Sequence, residues 1–263
     1  VLITPEVLLD ESRKYNAENR TIIDNHCGII DESHITRDKE NSHLKNIVGT
    51  TGTGTGPANS DRALRILNLA KNVDGLKKYL GNVSDIVNES IDKSQSVLIE
   101  GTQGTLLSLY HGDYPFVTSK DVTASGICSD VGIGPKKVDH VILVFKAYVT
   151  RVGGGPLENE ISSDDAAKLG WVEYGSVTGR QRRASPFNLE LAKKSIKINS
   201  ATQLAVTKLD VVFPECAGLT EYSKLTSKPR QFIESMEATL GVKVVLIGTG
   251  AEINQIIDRR EEN

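Results

Sequence analysis

The sequence lacks any long hydrophobic run, and it contains few aromatic residues. Its best apolar stretch, residues 138–149, is interrupted by Asp139, His140 and Lys146, whereas a membrane-spanning helix needs about 20 apolar residues. Aromatic residues make up only 5% of the 263 residues, so a core must be built mainly from aliphatic side chains. No membrane partner is therefore expected, and the hydrophobic content of 38% is typical of a globular protein.

Concentrated positive charge is also missing. The net charge is −3 at pH 7, and the chain has no lysine-rich block or basic tail. A general nucleic-acid-binding protein needs clustered positive charge to neutralise phosphates. We therefore expect no nucleic-acid partner.

Cysteines are few and widely spaced. Cys27, Cys128 and Cys216 are odd in number and have neither the spacing of a zinc site nor that of a disulfide framework. No signal peptide opens the chain, so free thiols in a reducing cytosol are the simplest interpretation and a cytoplasmic location is expected. The chain begins with Val1 and its only methionine is Met236, so we expect a further segment upstream in the natural protein.

Short, unbroken apolar runs are the main signal of secondary structure. They occur at residues 97–99, 141–145, 204–207 and 242–247, and residues 1–4 resemble the end of a strand. Runs without polar alternation are typical of strands buried on both faces of a parallel sheet.

Helical patterns separate several of these runs. They lie at residues 5–15, at 60–73 with Ser60 as the cap, at 189–198 and at 230–240. Residues 31–45 are polar and predict an exposed connection. The sequence therefore predicts an α/β fold, with a mostly parallel central sheet flanked by helices and sites in the loops at the carboxyl ends of strands.

A glycine- and threonine-rich segment, residues 49–56, precedes Pro57. Its glycines permit positive φ angles and close approach of the backbone. Its hydroxyl and amide groups can donate to phosphate oxygens, and the helix after it adds a positive dipole end. The pattern favours a phosphate-binding loop over a flexible linker. It is not a Walker A loop, because no Gly-Lys-Ser/Thr sequence ends it.

Three further segments carry side chains suited to substrates. Gln103 lies between glycines after an apolar run, where its amide can donate to a carbonyl oxygen that gains negative charge, although a plain turn is the alternative. Residues 178–183 contain three arginines, whose forks match carboxylates and phosphates, with a solvated turn as the alternative. Residues 207–210 read Thr-Lys-Leu-Asp, a Lys-x-Asp arrangement that selects guanine in GTPases, although so short a motif also occurs by chance.

The order and spacing of these segments resemble the adenylosuccinate synthetase family. The matching segments are Gly-Thr-Thr-Gly and Gly-Pro-Ala within residues 49–58, Glu-Gly-Thr-Gln-Gly-Thr-Leu-Leu at 100–107, His-Gly-Asp-Tyr-Pro-Phe-Val-Thr-Ser at 111–119, Phe-Lys-Ala-Tyr-Val-Thr-Arg-Val-Gly at 145–153, Thr-Gly-Arg-Gln-Arg-Arg at 178–183 and Thr-Lys-Leu-Asp at 207–210. The resemblance runs from Leu2 to Gly250, and it implies one domain over residues 1–263 with the family's P-loop-NTPase-like fold.

The resemblance implies a GTP-dependent ligase that joins L-aspartate to inosine monophosphate (IMP) and forms adenylosuccinate, the first committed step of AMP synthesis. GTP first phosphorylates the 6-oxygen of IMP in the presence of Mg2+. The aspartate amine then displaces phosphate from the 6-phosphoryl-IMP intermediate.

The same resemblance implies roles for individual residues. Gln103 is the expected catalytic residue, because it stabilises the 6-oxygen, and Arg65 is expected to reach the active site of the partner in a homodimer. The IMP-binding residues implied are Thr51, Arg65, Gln103, Thr118 and Arg180. The aspartate-binding residues implied are Val152, Thr178, Gly179, Arg180 and Arg182. The GTP-binding residues implied are Arg182, Lys208, Leu209, Asp210, Gly248, Thr249 and Gly250.

The chain also departs from the family pattern. Thr53 replaces a usual basic residue, Val177 a usual threonine and Ala251 a usual proline. The family's Gly-Asp-Glu-Gly-Lys-Gly-Lys loop, which supplies the catalytic aspartate and the Mg2+ ligands, does not occur in the sequence, nor does its Asn-Ala-Gly-His segment with the catalytic histidine.

We therefore expect no metal ligands in these residues and no activity from them alone. We also expect an uncovered apolar gap beside residues 97–99 or 1–4. Two other functions remain open at this point: a guanine-nucleotide-binding or regulatory module that uses Lys208 and Asp210, and a non-catalytic partner subunit that contributes Arg65 to another chain.

Overall fold

A computed structural model of the chain describes residues 1–175 and 179–261. The chain divides into two compact units, Val1–Lys137 and Val138–Asn263. None of the described helices is both long and apolar enough to span a membrane. That the chain works as one domain stays a prediction.

The first unit is built from short strands and helices. In chain order they are β1 (Leu2–Ile3), α1 (Pro5–Lys14), β2 (Ile23–Asp24), β3 (Gly28–Ile29), α2 (Glu32–Glu40), α3 (Thr55–Leu64), β4 (Leu80–Gly81), α4 (Val83–Asp92) and α5 (Ala124–Val131). Short 3-10 or π turns lie at Glu18–Arg20, Leu44–Val48, Ala70–Asn72, Asp74–Tyr79, Thr105–Leu107 and Pro135–Lys137. β1 pairs with β3 and β2 with β4, both in parallel, around a small core that includes Ile23, Ile29 and Leu76.

The second unit contains the larger sheet. Its elements are β5 (Ile142–Lys146), β6 (Tyr148–Arg151), α6 (Ser163–Lys168), β7 (Arg183–Pro186), α7 (Leu189–Asn199), β8 (Gln203–Thr207), α8 (Leu209–Val212), α9 (Ser227–Leu240), β9 (Val244–Gly248) and β10 (Ile256–Asp258). Two 3-10 turns lie at Pro214–Cys216 and Tyr222–Lys224. The sheet has the order β10-β9-β8-β5, and β6 and β7 form a separate antiparallel pair.

Aliphatic side chains hold this sheet together. Leu204, Val206, Val244 and Ile247 are fully buried, and they pack with Ile233 of α9. β5, β8 and β9 run parallel, so their carboxyl ends lie at one edge of the sheet. Lys146 at the end of β5 is in register with Thr207 at the end of β8. The segments that follow these strands are therefore neighbours.

The α/β fold class is confirmed, with parallel strands flanked by helices. The predicted strands at residues 1–4, 141–145, 204–207 and 242–247 correspond to β1, β5, β8 and β9.

The predicted strand at residues 97–99 is wrong. These residues form no strand in the described part of the chain, because an extended segment becomes a β-strand only when another strand supplies hydrogen-bond partners. Leu98 is 89% exposed and Val97 is 37% exposed. Val97 and Leu98 are therefore exposed apolar side chains, but they do not border a sheet, as the expected gap would.

Two other local predictions fail in the first unit. Residues 31–45 are not an exposed connection, since they contain α2, with His34 and Asp38 buried. Asp31 caps this helix by accepting from the backbone amides of Ser33 and His34, and the His34 ring accepts from the Asp31 amide in return. The helix predicted at 60–73 instead begins at Thr55 and ends at Leu64, so Ser60 lies inside α3 and does not cap it.

Candidate functional site

The glycine- and threonine-rich segment ends in a tight turn at the start of α3. Gly54 caps the helix with a φ of 83°, a left-handed conformation that glycine adopts without steric cost. A side chain has no room there, because a Cβ atom on Gly54 would lie 2.9 Å from Ile30 Cγ2. The loop is thus held close against the segment that leads into α2.

Asp38 fixes the conformation of this loop. Its carboxylate is 2% exposed, and it accepts hydrogen bonds from Thr50 Oγ1 and from the Gly54 amide, each at 2.8 Å. Thr50 and Gly54 stand near the two ends of the loop, so one carboxylate ties both ends to α2. Between them, the Gly52 amide donates to Thr50 Oγ1 at 3.2 Å, so the loop is also held by a bond within itself.

The remaining threonine hydroxyls of the loop face one another. Thr51 Oγ1 lies 3.1 Å from Thr53 Oγ1, which lies 3.4 Å from Thr55 Oγ1. Thr51 is exposed, and a hydroxyl rotates readily to donate to a new acceptor. A row of hydroxyl donors beside the amino end of α3 suits a phosphate group.

A polar cluster of buried His34 and Asp61 with exposed Arg37 joins α2 to α3. The Arg37 guanidinium donates to both carboxylate oxygens of Asp61, at 2.8 and 2.9 Å, and His34 Nε2 lies 3.2 Å from the same carboxylate. The hydrogen bonds from Arg37 hold the pKa of Asp61 below its usual value. The cluster stays charged at neutral pH, and it fixes the helix that begins at the phosphate-binding loop.

Gln103 and Thr118, which the resemblance places at IMP, lie together. Gln103 Nε2 donates to Thr118 Oγ1 at 2.9 Å, and Gln103 adopts a positive φ of 68°. Such a backbone conformation is uncommon for a residue with a side chain, and it is often found at functional sites. The amide carries a second N–H donor for a substrate oxygen.

A short relay connects this pair to α3. Ser119, next to Thr118, accepts from Asn59 Nδ2 at 2.8 Å and lies 3.5 Å from the Thr55 carbonyl oxygen. The loop at 49–54 and the Gln103–Thr118 pair are therefore linked within the first unit. Asn59 and Ser119 are positioning contacts that the sequence alone did not indicate.

Arg65 lies at the other end of α3. It caps the carboxyl end of the helix in a left-handed conformation, with a φ of 67°. Its neighbours Leu64 and Ile66 are 64% and 70% exposed. The arginine is thus presented on the surface between two large apolar side chains.

The segments expected to bind guanine lie side by side in the second unit. Lys208 and Asp210 follow β8, while Gly248 ends β9 and Thr249 and Gly250 follow it directly, and these two strands are paired in parallel. Lys208 is exposed, with a left-handed φ of 63°, and Asp210 is half-buried in the first turn of α8. The backbone brings an exposed lysine and a carboxylate to the edge of the sheet, next to a glycine turn.

Two of the residues expected to bind GTP have side chains that are buried in the protein interior. Leu209 is fully buried in the core. Thr249 is also fully buried, and its hydroxyl donates to the Leu219 carbonyl oxygen at 2.7 Å. Either residue could therefore contact a nucleotide only through its backbone.

The arginine-rich segment forms one side of a narrow hairpin. The Arg182 amide donates to the Glu173 carbonyl oxygen at 2.8 Å, and Tyr174 bridges Gln181. Nearer the tip, the Gly175 amide donates to the Arg180 carbonyl oxygen at 2.9 Å. Thr178 and Val177 lie outside the described residues. Gly179, Arg180 and Arg182 are thus brought to one turn.

Arg183 and Arg151 hold the neighbouring glycine loop that follows Val152. Arg183 Nη1 donates to the carbonyl oxygens of Gly153 and Gly155 at 3.2 and 2.9 Å, and Arg151 Nε donates to Gly154 at 2.7 Å. Arg183 also pairs with Glu160. These two arginines shape the loop, whereas Val152 is positioned at its start.

Within residues 1–175 and 179–261, no group of three or more His, Cys, Asp and Glu residues is arranged to hold a metal ion.

Comparison with known proteins identifies relatives over the whole chain. A family model described as adenylosuccinate synthetase matches residues 65–215. The adenylosuccinate synthetase of Methanocaldococcus jannaschii is 54% identical over 265 residues, which covers 100% of this chain and 77% of that protein. The adenylosuccinate synthetase of Archaeoglobus fulgidus is 52% identical over 262 residues, with 100% of this chain and 78% of that protein covered.

Solved structures share the fold. Fully ligated adenylosuccinate synthetase from Plasmodium falciparum superposes with a TM-score of 0.90 at 24% identity, covering 98% of this chain and 83% of that one. Succinoaminodeoxyadenylate synthetase of cyanophage S-2L, bound to dGMP and dATP, superposes with a TM-score of 0.76 at 20% identity, covering 98% and 74%.

Proposed function

This chain belongs to the adenylosuccinate synthetase family, and we propose which of its residues serve the family's reaction. That reaction uses GTP to join L-aspartate to IMP and gives adenylosuccinate. The observation that carries the assignment is the hydrogen bond between Gln103 and Thr118, because it unites two polar side chains from separate motifs at one accessible point. The roles below rest on family motifs together with the contacts of each residue.

IMP is bound by the first unit. Thr51 donates its hydroxyl to the phosphate at the amino end of α3, and Thr118 makes a second phosphate contact. Gln103 donates its free amide proton to the 6-oxygen. The family motif also assigns Arg180 to IMP. The tethering of the loop by Asp38 supports this assignment, because it keeps the hydroxyl row in place before the phosphate arrives.

Gln103 acts on the charge that develops during the reaction. Hydroxide is a poor leaving group at the purine 6-position, whereas phosphate is a good one. As the 6-oxygen becomes an oxyanion it attacks the γ-phosphorus of GTP, the bond from that phosphorus to the bridging oxygen breaks, and GDP leaves. A donor aimed at the 6-oxygen lowers the barrier. The aspartate amine then attacks carbon 6, and inorganic phosphate leaves.

Aspartate is bound by the hairpin and by the glycine loop beside it. Arg180 and Arg182 offer forked donors to its carboxylates, while Val152, Thr178 and Gly179 complete the site. The bonds from Arg183 and Arg151 to residues 153–155 support this, because they set the shape of the loop that follows Val152.

GTP is bound by the edge of the larger sheet. Asp210 accepts from N1–H and from the exocyclic amine of guanine, and the Lys208 stem lies along the base. Gly248, Thr249, Gly250 and Leu209 contribute through their backbone. Arg182 lies toward the triphosphate. The parallel pairing of β8 with β9 supports this placement.

Magnesium dependence is a property of the family, and the metal compensates the charge of the phosphates. The described residues offer no cluster of ligands for it, so no step is derived through the metal here. On the resemblance, we assign its ligands to a segment of the Gly-Asp-Glu-Gly-Lys-Gly-Lys type, which does not occur among these 263 residues.

A homodimer with shared sites accounts for Arg65. Its side chain lies on the surface between Leu64 and Ile66, which are 64% and 70% exposed. Large exposed apolar side chains around an arginine are typical of protein interfaces. A second copy of the chain would cover them and receive Arg65 at its IMP phosphate. A cytoplasmic location is part of the same proposal.

Turnover measurements test the proposal. These 263 residues and the full-length protein are each incubated with GTP, aspartate, IMP and Mg2+, and adenylosuccinate is measured. We expect product from the full-length protein only, and less when ATP replaces GTP. Absence of product from both proteins would favour a nucleotide-binding or accessory role.

A further inference from the structure

Glu173 closes the base of the arginine-bearing hairpin with its side chain as well as its backbone. Its Oε1 accepts from the Tyr148 hydroxyl at 2.6 Å, and its Oε2 accepts from Lys146 Nζ at 3.0 Å. The same Oε2 lies 3.7 Å from Arg182 Nε. Three side chains from different parts of the second unit thus converge on one carboxylate.

The carboxylate is well shielded from solvent. The side chain of Glu173 is 19% exposed, that of Lys146 is 26% exposed and that of Arg182 is 33% exposed. Arg182 Nε is buried and has no hydrogen-bond partner among residues 1–175 and 179–261. At Nε, Arg182 is therefore held by charge attraction to Glu173, which is stronger here than in bulk water because solvent is partly excluded.

Positive charge would otherwise accumulate at this point. Lys146 and Arg182 both face Glu173, and Lys208 lies near enough to act on Lys146. Without the carboxylate, Lys146 and Arg182 would repel each other across a partly buried space. Arg182 would then be expected to turn toward solvent, away from its present position.

The protonation of the cluster agrees with this geometry. Burial acts to raise the pKa of Glu173, but the hydrogen bonds from Tyr148 and Lys146 outweigh it and the pKa is lowered. Burial, helped by Glu173, raises the pKa of Tyr148. Burial lowers the pKa of Lys146, and its hydrogen bond to Glu173 opposes that shift. At neutral pH the cluster therefore contains an ionised Glu173 carboxylate and a neutral Tyr148 phenol.

We propose that Glu173 is a positioning residue for aspartate: it orients Arg182 and anchors the hairpin that carries Gly179 and Arg180. Tyr148 and Lys146 in turn hold the Glu173 carboxylate in place. The inference rests on the proposed function, in which the hairpin binds aspartate. It assigns no contact between Glu173 and the substrate.

The test compares Glu173→Gln with Glu237→Gln in the full-length protein. Gln keeps the size of the side chain and removes its charge. Glu237 is a matched control, because its side chain is 21% exposed and pairs with Arg259 at 2.9 Å, and it accepts from the Val244 amide at the opposite end of β9 from Gly248. We expect Glu173→Gln to raise KM for aspartate by about tenfold, the loss typical of one charge-assisted contact, with KM for IMP unchanged. We expect Glu237→Gln to change neither KM.

Tyr148→Phe provides a second variant if Glu173→Gln folds poorly. It removes one donor to Glu173 and keeps every charge, so a smaller rise in KM for aspartate is expected, again without an effect on IMP. An unchanged KM for aspartate in a folded Glu173 variant overturns the inference. An equal rise in KM for aspartate and KM for IMP also overturns it. If the wild-type protein makes no adenylosuccinate, the proposed function itself fails, and the inference fails with it.

Discussion

Asp38 and Asp210 show how differently two carboxylates are placed in this chain. Asp38 is buried and its contacts are all within the protein. Asp210 is half-buried after β8, where its oxygens can accept from a ligand. Only the second type of placement produces a recognisable motif, because Asp210 lies within the short local pattern Lys-x-Asp.

Substitution of Asp210 tests base recognition. We expect Asp210→Asn to raise KM for GTP by about tenfold or more. We expect the variant to prefer xanthosine triphosphate, since an amide donor matches the extra carbonyl of xanthine. KM for both nucleotides and for IMP measures this. An unchanged preference for GTP would remove Asp210 from the guanine site.

Substitution of Asp38 tests the tether of the phosphate-binding loop. Asn keeps one acceptor but places an amide donor against the Gly54 amide or the Thr50 hydroxyl. We expect Asp38→Asn to lower the free energy of unfolding by roughly 1–3 kcal/mol, the cost of a buried unsatisfied polar group. KM for IMP should rise while KM for GTP stays constant. Equal changes in both KM values would contradict a local effect.

The charge of Glu173 makes a pH-dependent contribution to stability. Its pKa in the folded protein lies below the unfolded reference of 4.5, so ionisation favours folding. The contribution is complete above the unfolded value and is lost as pH falls through the folded one. Denaturant unfolding of wild type and Glu173→Gln should therefore give a difference that is constant near pH 7 and shrinks below about pH 4.5. A difference that grows on acidification would contradict the assignment.

Residues that act through others were not predictable from the sequence. The bond from the Gly54 amide to Asp38 spans 16 residues, and that from Tyr148 to Glu173 spans 25. Neither Asp38 nor Glu173 belongs to a glycine-rich or cationic motif. Their roles depend on which segments the fold brings together, and composition and spacing do not encode that locally.

Among the elements, strands with apolar cores were predictable and α2 was not. β8 and β9 bury continuous aliphatic runs, which a sequence shows directly. The buried residues of α2 are His34 and Asp38. Both are polar, so hydrophobic periodicity gives no signal for this helix. A search for capping boxes would also have missed it, because the sequence signature has Glu or Gln three residues after the cap and this chain has His34 there.

The turn into α3 offers a paired test of backbone conformation. Gly54 has a φ of 83°, and a Cβ there would lie 3.0 Å from the His34 backbone. We expect Gly54→Ala to cost roughly 1–3 kcal/mol or more, measured by denaturant unfolding. Gly56 lies within α3, and its Cβ would meet only Leu44 Cδ1 at 3.9 Å. Gly56→Ala should be neutral or stabilising by up to about 1 kcal/mol, and an equal loss in both variants would contradict the steric explanation.

At the scale of the whole molecule, Arg65 connects the chain to a second copy. We expect Arg65→Leu to raise KM for IMP by about tenfold. The dimer should still assemble, because the apolar neighbours of Arg65 remain. Light scattering after size-exclusion chromatography and KM for IMP measure the two properties. Arg62→Leu, on the same helix, is the control, since Arg62 donates to the His26 carbonyl oxygen within its own chain. Normal IMP affinity in Arg65→Leu would count against a shared site.

The order of motifs along the chain predicted which substrate each unit binds, but not the contacts that hold each unit's motifs in place. The motifs assigned to IMP lie mainly in Val1–Lys137, and those assigned to GTP lie in Val138–Asn263. The order of motifs identified the family, and with it the reaction. Contacts that position the motifs could not be predicted from that order. The hydrogen bond between Asn59 and Ser119, for example, joins residues that are 60 positions apart in the sequence.

The tether between Asp38 and the phosphate-binding loop has a thermodynamic consequence. Ordering a backbone residue costs about 1–2 kcal/mol in conformational entropy. Because Asp38 already holds both ends of the loop, that loss occurs when the chain folds and not when the nucleotide arrives. A loop that is already ordered loses little conformational entropy when it binds a ligand. Calorimetry of IMP binding should accordingly show a larger entropic penalty once the tether is removed, even at temperatures where the variant remains fully folded.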